Sequence, residues 1–80
     1  MKTIHLEYVA MFREKIGAGK EAVSTHAADV TSLYDELAER HGLPWSKQSI
    51  RPAVNDRITG WETALADHDR VLFLPPSSGG

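Results

Sequence analysis

Two glycines, Gly79 and Gly80, are the residues whose type and position could support chemistry, following Pro75-Pro76 and the small spacer Ser77 and Ser78. Glycine has no Cβ, so Gly79 and Gly80 could enter a tunnel too narrow for any side chain. We expect Gly79 to pass through such a tunnel and Gly80 to present a free carboxylate at its end. That carboxylate would be ionised at neutral pH, because its usual pKa is about 3.3–3.7.

A carboxylate is a poor electrophile, so its use requires activation. Two steps would suffice: adenylation with ATP on a partner enzyme, then attack of a sulfur donor on the acyl-adenylate. The product would be a terminal thiocarboxylate. The chain has no cysteine, so the sulfur would have to come from elsewhere.

Composition narrows the class of protein. Eighty residues predict one domain with a modest core. Nine Lys and Arg against eleven Asp and Glu, with no basic block, disfavour a nucleic-acid partner. A polar beginning and the lack of a long apolar run predict neither a signal peptide nor a membrane segment, so we expect a cytoplasmic protein.

The first half of the chain predicts two strands and two helical segments. Ile4, Leu6 and Tyr8 alternate with polar residues, which indicates a strand with these three side chains in the core and Val9 on the outer face. Residues 11–16 could form a short helical turn, and residues 21–27 are predicted to be a strand.

The main helix is the clearest local prediction. Asp29 is a suitable N-cap, and Gly42 supplies a left-handed C-terminal residue. Between them lies one apolar stripe, formed by Val30, Leu33, Tyr34, Leu37 and His41.

The second half predicts a loop followed by three strands. The strands cover residues 50–54, a short stretch from residue 58, and residues 70–74, with a turn at 67–69. Alternation puts Val71 and Phe73 on one face of the last strand, and Leu72 and Leu74 on the other. Pro52 should lack a ladder partner on its N–H side.

The predicted elements together form an α+β fold with a mixed sheet of four to five strands and one main helix on one face. We predict a domain of residues 1–76 and a flexible tail of residues 77–80.

The outer sheet face is a candidate docking surface. It is expected to hold Val9, Ile58, Leu72 and Leu74, on the strands nearest the tail. Scattered apolar surface residues are common, but four on one face favour docking.

Other candidate sites are weak. His5, His26, His41 and His68 are dispersed without metal-ligand spacing, so no metal site is predicted. Ser77 and Ser78 have no base placed to activate them and are better interpreted as spacers.

Residues 67–80, DHDRVLFLPPSSGG, resemble the end of the small subunit of molybdopterin synthase, a ubiquitin-like family with a β-grasp fold. Supporting matches cover the whole chain: Phe12-Arg13-Glu14, Leu37 to His41, Ala53-Val54-Asn55 and Thr63-Ala64-Leu65. Three positions depart from the family pattern, namely Pro52, Ala64, and His68 in place of the usual turn glycine.

The resemblance implies a sulfur carrier that binds no cofactor and is not a catalyst alone. An E1-like adenylating enzyme would use ATP at Gly80, and a sulfurtransferase would supply the sulfur. The tail would then enter the large subunit of molybdopterin synthase, where two transfers build a dithiolene. The resemblance and the predicted outer face together give the residues expected at the partner interface. They are Val9, Arg13, Ile58, Leu72, Leu74, Pro75, Pro76, Ser77 and Ser78.

Three other functions are also consistent with the sequence. The chain could carry sulfur for thiamin, cysteine or tRNA thiolation, although thiamin carriers generally lack the Pro-Pro. It could be a protein modifier whose Gly80 forms isopeptide bonds. It could also be a β-grasp interaction module that uses no tail chemistry.

Overall fold

A computed structural model of the chain describes residues 1–76. The predicted tail, residues 77–80, lies outside the described residues, so the division at residue 76 stays a prediction. The elements follow in the order β1 (Lys2–Glu7), α1 (Ala10–Ile16), β2 (Lys20–Thr25), α2 (Val30–His41), β3 (Arg51–Val54), β4 (Arg57–Ile58) and β5 (Arg70–Leu74). A 3₁₀ turn at Lys47–Ser49 precedes β3.

The strands form one mixed sheet in the order β2-β1-β5-β3-β4. β1 and β5 run parallel, with His5 aligned with Arg70 and Glu7 with Leu72. The other neighbouring pairs are antiparallel. The buried side chains of α2 join those of the strands in a single core, which confirms the predicted α+β fold with one main helix on one face.

The boundaries of α2 are those the sequence predicts. The Asp29 carboxylate accepts a hydrogen bond from the Ser32 backbone N–H at 2.9 Å. Gly42 ends the helix at φ +66°, and its N–H donates to the Ala38 carbonyl. The core side of the helix consists of Val30, Leu33, Tyr34 and Leu37. Within residues 1–76, no helix is long and apolar enough to cross a membrane.

The irregular segment between β4 and β5 accepts hydrogen bonds from the first turn of α2. The Val30 N–H donates to the Thr63 carbonyl at 3.1 Å, and the Thr31 N–H donates to the Trp61 carbonyl at 3.0 Å. These bonds satisfy two of the donors that a helix leaves free at its beginning. Leu65, in the same segment, is buried in the core.

Two early elements have boundaries that differ from those predicted. β2 begins at Lys20, one residue early, and stops at Thr25 rather than at Ala27, because the Thr25 hydroxyl accepts from the Ala27 N–H at 2.9 Å and turns the chain. The helical turn is a helix that begins at Ala10, one residue early, and buries Phe12 in the core. It ends at Ile16, as predicted, and Gly17 follows it at φ +85°.

The later strands also shift by one residue. β3 begins at Arg51 instead of Ile50, because the Ile50 N–H closes the 3₁₀ turn on the Lys47 carbonyl at 3.2 Å. β4 begins at Arg57, one residue early. A tight turn joins β3 to β4, with Asn55-Asp56 at φ +51° and +70°.

The turn before β5 is tied to the start of β1. The Thr3 N–H donates to the Asp67 carboxylate at 2.6 Å, and the His68 N–H donates to the Thr3 carbonyl at 2.6 Å. His68 adopts φ +69°. A side chain in this left-handed region costs roughly 1–2 kcal/mol, so the turn bears the strain that the missing glycine would have avoided.

Both tryptophans lie partly buried at the rim of the core. Trp45 meets Phe12 edge to face at 5.1 Å between ring centroids. Trp61 stacks on Phe73 at 5.9 Å. The rings therefore extend the core under the loops on either side of β3 and β4.

The N-cap of α2 makes stability depend on pH. The hydrogen bond from the Ser32 N–H lowers the pKa of the Asp29 carboxyl. Its contribution is therefore present above the unfolded pKa of about 3.9 and is lost as pH falls through the lower folded value. We expect Asp29→Ala to lower the melting temperature at pH 7, whereas Asp29→Asn keeps a neutral acceptor and loses less.

Thermal melts between pH 7 and pH 2 check this expectation. The gap between wild type and Asp29→Ala should narrow as the carboxylate is protonated, whereas the gap between Asp29→Asn and Asp29→Ala should stay constant. A wild-type gap that does not change with pH would contradict the capping role of the charge.

Candidate functional site

Three apolar side chains form a row across the sheet face opposite α2. Val71 lies in the core at 1% exposure, so its neighbour Leu72 points to the other face. Leu72 lies opposite Ala53 of β3, and Ala53 lies opposite Ile58 of β4. Residues directly opposite each other share a face. Ile58, Ala53 and Leu72 therefore form one line, which we call the apolar row.

The apolar row is buried at its centre and exposed to solvent at the Ile58 end. Ile58 is 62% exposed, and Leu72 is half-buried. Ala53 is only 7% exposed although it lies outside the helix-side core, so neighbouring side chains on the outer face cover it. The sequence interpretation missed Ala53, and the available signal was its place next to Val54, which faces the core.

Leu74 continues the outer face toward the tail. It is half-buried and lies opposite Arg51, one alternate position beyond Leu72. The predicted sharing of this face by Ile58, Leu72 and Leu74 is confirmed, while their role in docking stays a prediction.

Two other predicted interface residues lie elsewhere. Val9 was expected on the outer face of a strand, and this is wrong: it is the N-cap of α1, and its carbonyl accepts from the Phe12 N–H at 3.0 Å. Arg13 is exposed on α1 and lies beside Gly19. A Cβ added to Gly19 would be 3.7 Å from Arg13 Nε. Neither residue belongs to the strands that carry the apolar row.

A groove of about 500 Å³ lies at the base of the tail. Leu74 forms one wall of this groove and so connects it to the outer face. The complete lining is Gln48, Ser49, Ile50, Arg51, Leu74, Pro75 and Pro76. Residues 48–50 were not anticipated, because the 3₁₀ turn that brings them there has no apolar period. The predicted tail residues Ser77, Ser78, Gly79 and Gly80 lie outside the described part of the chain.

Charged side chains surround the apolar row. Glu7 of β1 lies opposite Leu72, and Arg51 lies opposite Leu74. Arg70 pairs with the Asp56 carboxylate at 2.8 Å. An apolar centre with a polar rim is the usual composition of a protein–protein interface.

Pro52 leaves the β3–β5 ladder intact. Its carbonyl accepts from the Thr59 N–H at 3.0 Å, on the β4 side. The nitrogen and carbonyl of one strand residue point to the same side, so the proline nitrogen also faces β4. The missing N–H is therefore on the side where β4 has ended, in agreement with the prediction.

The buried titratable cluster is structural. The Tyr8 hydroxyl donates to the Glu21 carboxylate at 2.6 Å, and His41 Nε2 lies 3.3 Å from the same oxygen. Burial, together with Glu21, raises the pKa of Tyr8 well above its usual range. The phenol therefore stays protonated and ties β1 to β2 and α2. Among residues 1–76, no three His, Cys, Asp or Glu side chains gather as a metal-binding group.

Comparison with known proteins identifies the family. The model of the ThiS family matches residues 6–80. The chain belongs to the ThiS family. A curated relative, the molybdopterin synthase sulfur carrier subunit of Escherichia coli (strain K12), is 29% identical, with the match covering 96% of this chain and 99% of the relative.

Solved structures share the fold over nearly the whole chain. A protein described as molybdopterin converting factor, subunit 1, from Pyrococcus furiosus is 26% identical, with a TM-score of 0.80 over 96% of this chain and 100% of that one. A chain in the complex of subunits 1 and 2 of molybdopterin-converting factor from Helicobacter pylori 26695 is 25% identical, with a TM-score of 0.67 over 98% and 99%. Small archaeal modifier protein 1 from Methanosarcina acetivorans, at 23% identity, has a TM-score of 0.80 over 100% and 98% and shows the fold alone. The predicted ubiquitin-like β-grasp fold is confirmed.

Two isoleucines test whether the apolar row contributes to folding. Ile4 is fully buried and Ile58 is 62% exposed. Ile4→Ala should lower the free energy of unfolding by about 2–5 kcal/mol, whereas Ile58→Ala should change it by no more than about 0.5 kcal/mol. Urea unfolding of the two variants measures both values. Similar losses in both would show that Ile58 is needed for the fold, not available for a partner.

Proposed function

We propose that this chain is the sulfur carrier subunit of a molybdopterin synthase, with a thiocarboxylate at Gly80 as the donor group. The observation that carries the proposal is the match to a sulfur carrier subunit over 96% of the chain, in a family whose model extends through Gly79-Gly80. The apolar row beside the base of the tail supports it, because a carrier must dock before its tail can deliver anything.

The proposed chemistry is carried out on partner enzymes. A Gly80 carboxylate oxygen attacks the α-phosphorus of ATP, and pyrophosphate leaves. A donor sulfur at the sulfide oxidation level attacks the acyl carbon, and AMP leaves with the C–O bond electrons. The resulting thiocarboxylate is a sulfur nucleophile. Its sulfur attacks a carbon of the pterin precursor and displaces an oxygen substituent, which leaves with the electrons of the C–O bond. Water then cleaves the acyl–sulfur bond and restores the carboxylate for another round.

The folded domain supplies the docking energy in this proposal. Ordering four tail residues would cost roughly 4–8 kcal/mol, which two glycines and two serines cannot offset by themselves. Burying the exposed end of the apolar row and the groove side of Leu74 would offset it at about 25 cal/mol per Å². We place Ile58, Leu72 and Leu74 at the centre of that contact, with Pro75 and Pro76 directing the tail.

The proposed partners follow from the chemistry. An E1-like enzyme adenylates Gly80 with ATP, a sulfurtransferase supplies sulfur, and the large subunit of molybdopterin synthase receives the tail. Val9 and Arg13, which lie off the apolar row, would contact a partner only at the rim. We propose a cytoplasmic location, where ATP is available, and no cofactor held by this chain.

The mass of the protein tests the donor group. Protein isolated from its own cells, or incubated with ATP, the activating enzyme and a sulfur source, should gain the mass of one sulfur replacing one oxygen. Mapping of the terminal peptide should place the gain on Gly80. A variant with one alanine added after Gly80 is the control and should gain nothing, with an unchanged melting temperature.

Other masses would support other functions. Ladders of higher-mass conjugates that depend on Gly80 would favour a protein modifier. A complete absence of the sulfur mass after incubation with the activating system would eliminate the carrier and leave an interaction module.

Leu74→Glu tests the docking surface. The added carboxylate would be desolvated against the partner, so affinity for the large subunit should fall by about tenfold or more. Titration calorimetry with the purified large subunit measures this fall. Ser24→Glu is the matched control, because Ser24 is exposed on the outer face at the far edge strand, β2. Equal losses in both variants, or none in Leu74→Glu, would show that the surface is misplaced.

A further inference from the structure

Folding brings together two histidines that the sequence separates by 63 positions. His5 lies on the outer face of β1, and His68 lies in the turn before β5. His5 Nε2 and His68 Nδ1 are 3.1 Å apart and share a hydrogen bond, in which one ring nitrogen donates and the other accepts. The rings are nearly parallel, at 20°, with centroids 5.4 Å apart. The spacing of histidines along the chain gave no sign of this pair.

Backbone hydrogen bonds fix the positions of the two residues. The His5 N–H donates to the Asp69 carbonyl at 2.9 Å, and the His68 N–H donates to the Thr3 carbonyl. His68 holds φ +69°, a conformation that glycine adopts without strain. A side chain at such a strained position, beside a second histidine, suggests a role for that side chain.

The nitrogen separation suits chelation of a metal ion. With metal–nitrogen distances of about 2.0–2.1 Å, a separation of 3.1 Å gives a nitrogen–metal–nitrogen angle of about 95–102°. That angle lies between the octahedral and tetrahedral values. The other nitrogen of His68, Nε2, is 3.6 Å from Asp67 Oδ2. This separation is longer than a hydrogen bond, so the Asp67 carboxylate contributes negative charge close to the pair without fixing the tautomer of His68.

The surroundings decide which ligands complete the site. The pair lines an open depression of about 340 Å³ together with Glu7, Lys20 and Arg70. Glu7 lies two residues beyond His5 on the same face and supplies a negative charge, while Arg70 is already paired with an aspartate. The described residues contain no three-group metal cluster, so a cation bound here would replace the proton between the two nitrogens, take two ligands from the chain and complete its coordination with water.

We propose that His5 Nε2 and His68 Nδ1 form a surface chelate for a divalent cation of the zinc, nickel or copper class. Imidazole suits these ions, whereas magnesium and calcium prefer oxygen ligands. The site adjoins the proposed docking surface and shares Glu7 and Arg70 with its charged rim, but neither histidine belongs to the apolar row.

Calorimetric titration of the tag-free, chelator-treated protein with nickel chloride and zinc chloride tests the site. Wild type should bind one ion, with no response to magnesium chloride. His5→Gln and His68→Gly should each weaken binding by about tenfold or more. His68→Gly should melt at or above the wild-type temperature, because glycine relieves the turn, so its loss of binding cannot come from unfolding.

His26→Gln is the matched control, since His26 is another exposed histidine and is not part of the pair. It should bind as wild type does. The proposal is overturned if wild type shows no saturable binding at millimolar nickel and zinc. It is also overturned if His5→Gln or His68→Gly binds normally, or if His26→Gln is weakened as much as they are.

Discussion

The parallel pairing of β1 with β5 is the constraint on which the rest of the structure depends. It joins the beginning and end of the described chain and puts β5 in the middle of the sheet, between β1 and β3. Once β5 is in place, its alternation sends Val71 and Phe73 to the core and Leu72 and Leu74 to the outer face. The core, the apolar row and the start of the tail are therefore set by the register of one five-residue strand.

Patterns that act over a few residues predicted the fold well. Asp29 and Gly42 set the ends of α2 through local hydrogen bonds, and alternation along β5 identified its outer face. Errors occurred where one side chain or one turn decides an end: the Thr25 hydroxyl stops β2, and the 3₁₀ turn delays β3. Val9 was misassigned because α1 begins before alternation can continue.

The candidate site shows the same division between local and distant information. Leu72 and Leu74 could be found from the spacing within one strand. Ala53 could have been placed on the outer face from its position next to Val54. The His5–His68 pair could not be found in this way, because the two residues are brought together by pairing between strands far apart in sequence. The chemistry proposed for Gly80 rests on the Gly79-Gly80 pair and on the family resemblance, because neither periodicity nor composition gives a reaction.

The position of β5 also has a mechanical consequence. The strand is hydrogen-bonded on both sides, to β1 and to β3, and Pro75 follows its last residue directly. A force applied along the tail would run parallel to β5 and load both ladders in shear, so many hydrogen bonds would have to break together. A partner could pull on the end of the chain without peeling strands one at a time. The tail is therefore attached to a strand that is held by hydrogen bonds on both of its sides.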